Sequence, residues 1–231
     1  MINLTSLDIT NKNLVIRVDM NVPIKDGIVA DASRIKACIP TIKFALKNNA
    51  KVLLISHLGR PEEGNFEEKF SMKPVAESLS NILNEEVGLI GGLDSEDIFK
   101  GSLSIQILEN IRFFEGEKAN DKDLGNKLAN LGDIYVFDAF GTAHREQAST
   151  HSAIEQSKIA CAGLLLEREI DFLTKALNNY QNPYLAIIGG AKVSTKLELI
   201  KHINNVADNI IVGGGIANTF ILASGLNVGK S

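Results

Sequence analysis

The sequence predicts an α/β protein: a first domain built on a parallel sheet with helices on both faces, followed by an incomplete second domain of the same kind. Three observations predict it. Short apolar runs rich in β-branched residues alternate with helical patterns along the chain. The runs are apolar nearly throughout, as strands covered on both faces are. Polar and basic residues then gather directly after the runs, where open α/β sheets bind ligands.

Strands are expected at 14–18, 52–55, 87–90, 105–108, 134–137 and 159–162, with two more at 184–188 and 209–212. Between the first two, Ile35, Cys38, Ile39, Ile42, Ala45 and Leu46 recur at helical spacing, with Ser33 as the expected cap and Arg34 opening the helix. Val75, Leu79, Ile82 and Leu83 mark a second helix, and Leu124, Leu128 and Leu131 a third. Strands separated by helices of this length imply βαβ crossovers and parallel pairing.

A longer pattern over 164–178 places Leu166, Ile170, Leu173 and Leu177 on one face. The turn formers and proline of 178–183 stop it. The expected organisation is a first domain over 1–163, a connecting helix and turn over 164–182, and a second domain from 183. Two strands are too few to cover both faces of helices such as that expected over 195–206, so the second domain is expected to be truncated at Ser231.

The chain's 231 residues carry a formal charge of −4, which gives no general attraction to nucleic acid or anionic membranes. Anion binding must come from local clusters. No apolar run approaches the roughly 18 residues of a membrane span, and the first residues lack a leader pattern. Cys38 and Cys161 show neither metal nor disulfide spacing, and Cys38 is expected in the core. The expected compartment is the cytoplasm.

The first strand leads into Asp19-Met20-Asn21, the second into His57-Leu58-Gly59-Arg60, the fourth into Glu109-Asn110-Ile111-Arg112, and the fifth into the stretch from Asp138 to His144 and Arg145. Singly, each has a structural alternative. A strand-end arginine serves rim ion pairs, a lone histidine packs as a structural residue, and Asp19 and Asn21 support a turn before Pro23. Together, Arg34, Arg60, Arg112, Arg145, His57 and His144 map to one sheet edge. Guanidinium forks match phosphate and carboxylate oxygens, and Asp19 and Asn21 suit hydroxyl groups. The implied ligand is a small hydroxylated acid bearing a phosphate.

In the second domain, Gly189-Gly190-Ala191-Lys192 leads through Val193-Ser194-Thr195 to Lys196, a bare backbone and two ammonium groups at an expected helix start. That suits phosphate, without the glycine-to-lysine spacing of a P-loop; an ordinary strand–turn–helix is the alternative. Gly213-Gly214-Gly215 is either a second bare edge or a simple loop.

With these motifs in this order, the sequence resembles the phosphoglycerate kinase family. The stretches RVDMNVP, SHLGRP, LENIRF, DAFGTAHR, GGAKVSTK and IVGGGIANTF carry the resemblance across essentially the whole chain. It implies a glycolytic phosphotransferase that moves a phosphoryl group between 1,3-bisphosphoglycerate and ADP, giving 3-phosphoglycerate and ATP. It also implies a monomer of two Rossmann-like domains that bends about a hinge, with the glycerate on the N-terminal domain and the nucleotide, with Mg2+, on the other.

By that resemblance Asp19, Met20 and Asn21 lie against the glycerate, and His57, Leu58, Gly59, Arg60, Arg112 and Arg145 surround its phosphate and carboxylate. Arg34 reaches the transferring group, Lys192 accompanies it, and Lys196 contacts nucleotide phosphate. Gly190, Ala191, Gly213 and Gly214 line the nucleotide, and His144 supports Arg145. Glu146 departs from the pattern, since a small residue is expected after Arg145. The family's later glycine-rich loop, metal-binding aspartate and ribose acid are expected beyond Ser231. Two rival readings are a fragment that binds 3-phosphoglycerate without catalysis and a different sugar-phosphate enzyme, whose nucleotide fingerprint is missing.

Overall fold

A computed structural model describes residues 1–94, 96–178 and 180–230 of the chain; Asn179, in the turn expected after the long helix, and Ser231 lie outside it. The described residues divide into two compact units, Met1–Ile170 and Asp171–Ser231.

The first unit begins with β1 (Asn13–Val18), the hairpin β2 (Ile24–Lys25) and β3 (Ile28–Val29), and α1 (Ser33–Lys47). There follow β4 (Lys51–Ile55), α2 (Lys73–Leu83), β5 (Val87–Ile90), β6 (Ile105–Leu108) and α3 (Lys122–Ala129). It closes with β7 (Ile134–Asp138), α4 (Ala153–Gln156), β8 (Ala160–Ala162) and the start of α5 (Leu164–Asn178), which crosses the division between units. Six strands form one parallel sheet in the order β5-β6-β4-β1-β7-β8.

Side chains alternate between its two faces. Leu14, Ile16 and Val18 of β1 join Val52 and Leu54 of β4 against Ile35, Cys38 and Ile42 of α1 and Val75 and Leu79 of α2. Val15, Leu53, Ile55 and Tyr135 pack the other way, against Leu124 and Leu128 of α3 and Ala153 of α4. Both faces are therefore covered, which is why the strands read as continuous apolar runs. Each such buried aliphatic side chain contributes about 1.5–3 kcal/mol. Burial also pushes the thiols of Cys38 and Cys161 up, the latter to about 12, so neither behaves as a nucleophile.

The helix expected to be capped by Ser33 starts one residue earlier. Ala32 holds the cap position, and the Asp31 carboxylate takes both the N–H and the hydroxyl of Ser33, at 2.8 and 2.5 Å. The short hairpin was not expected, although its Asp26-Gly27 turn, at φ 51° and 74°, is a standard sequence signal for one.

The fully buried carboxylate of Asp138 joins three elements. At the end of β7 it accepts from Thr41 Oγ1 of α1 at 2.6 Å and from the N–H of Leu166 at 2.9 Å, so it sits on the N-terminus of α5. Burial pushes its carboxyl up, while the Thr41 and backbone donors pull it down. A helix N-terminus favours that charge. Gly163 is required here, because a Cβ on it would overlap the Asp138 side chain.

In the second unit β9 (Leu185–Gly189) and β10 (Asn209–Gly213) pair in parallel, with α6 (Leu197–Asn204) and α7 (Gly215–Ala223) on one side. Ala186 and Ile188 pack with Ile200, Ile203 and Ile216, while Leu185, Ile187 and Ile211 are exposed, Ile187 by 74%. The helix expected from 195 begins at Leu197 instead. A single 3-10 turn, Val193–Thr195, precedes it, and Lys196 stands at its cap.

Gly163→Ala is expected to cost about 1–3 kcal/mol, the usual penalty of overpacking a closed site. Urea unfolding would show a lower midpoint at unchanged slope; an unchanged midpoint would mean that Asp138 shifts aside freely.

Candidate functional site

Strands β1, β4, β6 and β7 end at one level. Arg17 is opposite Ile55, Val18 opposite Asp138, and Leu54 opposite Ile107. The chain builds the sheet outward from β1 to one side and then places β7 on the other side of β1, so the carboxyl ends of these strands flank a topological switch point. A cavity of about 230 Å3 opens there, lined by Asp19, Arg34, Asp138 and Gly141 among others.

The loops leaving β1, β4 and β6 interlock around Gly59. Its N–H donates to Asn21 Oδ1 at 2.9 Å, and its carbonyl accepts from Arg112 Nη1. It adopts φ +61°, and a Cβ would overlap the Phe70 ring, so both backbone and packing demand glycine. Asn110 clasps the same loop. Its Oδ1 accepts from the N–H groups of Leu58 and Arg112 at 3.2 and 3.1 Å, and its Nδ2 donates to the carbonyls of Leu58 and Phe70 at 2.7 and 2.9 Å. Three strand ends thus become one rigid rim.

Two arginines are sunk into that rim. Arg17, 1% exposed, donates through Nε to Ser149 Oγ at 2.9 Å, through Nη1 to the Val18 carbonyl, and approaches His57 Nδ1 with Nη2 at 3.3 Å. Ser149 lies in a π-helical turn, Ala148–Ser152, and passes the contact on to the buried Glu117, donating through Oγ at 2.6 Å and through its N–H at 2.9 Å. Burial pushes the Glu117 carboxyl up, against the pull of Arg17 and Ser149. Arg112 is 8% exposed, and its Nε is buried without a hydrogen-bond partner. Leaving such a donor unmade costs about 1–3 kcal/mol or more.

His57 is 2% exposed, and its pKa is pushed down to about 2 by burial first and then by the charges of Arg17, Arg112, Arg145 and Arg34. Burial and the neighbouring guanidinium groups both disfavour the charged imidazole that a place in a basic patch would suggest. Arg34 is exposed and pairs with Asp19 Oδ2 at 2.6 Å. Arg60 and His144 are exposed and Arg145 half-buried at the same rim. Met20 and Leu58 are buried, their N–H groups taken by Ser56 Oγ and Asn110, so what they supply is packing. Glu146 is exposed and lies toward Asn120, at 3.5 Å.

In the second unit the backbones close up after the strands. A Cβ on Gly214 would lie 3.0 Å from the Gly190 carbonyl oxygen, and one on Gly215 would overlap that of Ala191. The Lys196 ammonium folds back over Gly190, 3.2 Å from where a Cβ would be. Lys192 is exposed, and open space surrounds Gly213.

Sequence reasoning missed the structural weight of Arg17, Ser149 and Glu117. An arginine inside an apolar strand was the one available signal; nothing local marks Ser149 or Glu117. Among the described residues no helix is long and apolar enough to cross a membrane, and no three His, Cys, Asp or Glu side chains gather as a metal site.

Comparison with known proteins agrees with this geometry. The family model for phosphoglycerate kinase matches residues 4–231. The phosphoglycerate kinase of Desulfovibrio desulfuricans is 51% identical over 225 residues, covering 97% of this chain and 57% of the relative. That of Haemophilus influenzae strain PittGG is 52% identical over 234 residues, covering 100% of this chain and 59% of the relative. Among solved structures, phosphoglycerate kinase from Coxiella burnetii superposes with a TM-score of 0.86 at 45% identity, over 99% of this chain and 58% of that one. The Pyrococcus horikoshii enzyme gives 0.86 at 32%, over 100% and 59%. The chain spans less than three-fifths of the length of these relatives. Motif order, sheet order and these matches agree: the chain belongs to the phosphoglycerate kinase family.

Proposed function

We propose that this chain supplies the glycerate-binding part of a cytoplasmic, monomeric phosphoglycerate kinase that exchanges a phosphoryl group between 1,3-bisphosphoglycerate and ADP, giving 3-phosphoglycerate and ATP. The observation that carries the reading is Arg112: a buried guanidinium with an unmade Nε donor, in a field of three other guanidinium groups. A doubly charged phosphate or a carboxylate is the partner that completes it.

The remaining roles follow from chemistry. Asn21 spends its carbonyl oxygen on Gly59, so its amide nitrogen is the group that meets a ligand oxygen. Asp19 accepts from a glycerate hydroxyl. The Arg34–Asp19 pair is surface-exposed and therefore worth at most about 1 kcal/mol, so an arriving acyl phosphate displaces it at little cost. Arg60 and Arg145 add charge at the open side, with His144 beside Arg145. Transfer itself needs in-line placement and compensation of spreading negative charge, with little covalent help. Arg34 supplies that compensation from the glycerate side, and Lys192 from the nucleotide side. Lys196, with the bare backbone of Gly190, Ala191, Gly213 and Gly214, holds the phosphates and adenine side of an ADP or ATP that arrives with Mg2+.

The alternative reading is glycerate binding without turnover. Calorimetric titration with Mg-ADP separates the two: nucleotide heat supports the first, and none the second.

Titration with 3-phosphoglycerate is expected to show binding that weakens as salt rises. Arg112→Ala is expected to lose ten- to hundredfold in affinity, roughly the worth of a charged hydrogen bond. A folded sample that binds no 3-phosphoglycerate would overturn the assignment. Arg34→Ala, by contrast, is expected to hold that affinity within about threefold while kcat falls by about 100- to 1,000-fold wherever turnover is measured. Equal losses in both would contradict a role confined to the transferring group.

A further inference from the structure

Arg17 is sunk into the rim, and only 1% of it is exposed. Its contact with His57 fixes more than position. A guanidinium has five N–H groups and no lone pair, so it can only donate. His57 Nδ1, 3.3 Å from Arg17 Nη2, must therefore be the ring nitrogen without hydrogen. The ring's one proton then sits on Nε2. Arg17 itself cannot turn away, because Ser149 Oγ holds its Nε at 2.9 Å and the Val18 carbonyl holds Nη1.

We propose that Arg17 is a positioning residue that fixes His57 as the neutral Nε2–H tautomer, making it an uncharged hydrogen-bond donor for an anionic ligand oxygen. The ligand role rests on the proposed function; the tautomer does not. The charged groups that act most on His57 are cationic: Arg17 from β1, Arg112 from the turn after β6, Arg145 from the stretch after β7, and Arg34 from α1. Nε2 is also absent from the buried unpartnered side-chain atoms, which among the described residues are Asn3 Oδ1 and Arg112 Nε.

The arrangement has a chemical advantage. A fifth cation at the rim would be a charge lost and regained across the physiological range, and ligand affinity would follow it. A locked neutral donor keeps one hydrogen bond aimed at the anion at every working pH. An Nδ1–H tautomer would instead set two hydrogens against each other and turn a bare lone pair toward the ligand.

Long-range 15N–1H spectra of the imidazole rings test this on the ligand-free 231-residue chain. There are four histidines, His57, His144, His151 and His202, and loss of one set of signals in His57→Gln assigns the ring. The expected result is an unprotonated-type Nδ1 and a protonated-type Nε2, unchanged from about pH 5 to 8. An Nδ1–H pattern, or a titration midpoint near the ordinary ~6.5, would overturn the proposal. Arg17→Met removes the donor while filling the buried space. It is expected to release the ring, with both neutral tautomers exchanging. An unchanged tautomer in that variant would also overturn the proposal, and if the variant does not fold the wild-type spectrum still decides. Because no ligand is present, failure to bind 3-phosphoglycerate would count against the proposed function alone.

Discussion

A guanidinium buried at the end of a central strand is the constraint on which the rest of the first unit depends. Burying an unpaired charge costs several kcal/mol even after relaxation, on the order of what a whole domain's stability can absorb. Arg17 is held by dispersed means. It touches a carbonyl, a hydroxyl and an imidazole nitrogen, and only the hydroxyl of Ser149 links it onward to a carboxylate, Glu117. The charge is therefore softened without being cancelled by a direct ion pair. A directly paired Arg17 would leave His57 and the neighbouring arginines in a much weaker positive field.

That requirement explains irregularities in the chain. The π-helical turn at Ala148–Ser152 brings Ser149 Oγ under Arg17 while its N–H still reaches Glu117, and Tyr135 on β7 secures the Ser149 carbonyl at 2.6 Å. Such turns are uncommon and recur at functional sites. Gly59 likewise gives up a side chain so that its two backbone groups can tie Asn21 and Arg112 together. Precision at the rim comes from these backbone-to-side-chain bonds, which fix loops that would otherwise be free to move.

Much of this was legible in the sequence because periodicity is set by burial. The eight expected strands all exist, within a residue or two at their ends, since each is an apolar run covered on both faces or on one. The strand-end residues were legible for a topological reason: in a parallel sheet every carboxyl end faces the same way, so residues far apart in sequence must meet. What escaped had no periodic signature. The hairpin at β2 and β3 is too short for alternation to show, though its Asp-Gly turn was readable. Ser33 stands inside the first turn of α1 instead of capping it, and its N–H and hydroxyl donate back to Asp31, two residues earlier. His57 looked cationic because sequence shows residue type and hides the company it keeps. Its lowered pKa follows first from its own burial and then from Arg17 and Arg112, none of which a local pattern reveals.

The sorting of charge at the rim resolves an apparent conflict with the chain's net charge of −4. Acidic residues stand at the same strand ends as the basic ones, yet they point inward and are consumed there. Glu109 receives Ser71 Oγ and the N–H groups of Met72 and Asn110, which anchors the chain entering α2. Asp138 receives Thr41 and Leu166 at the head of α5, and Glu117 receives both donors of Ser149. Each carboxylate spends its oxygens on hydroxyl and backbone donors that need an acceptor once buried. At the open side Arg34, Arg60 and Arg145 remain, with Asp19 and Glu169 lining the cavity and Glu146 exposed next to Arg145. Much of the acidic charge near these strand ends is therefore spent inside the fold, where it caps helices and ties down loops.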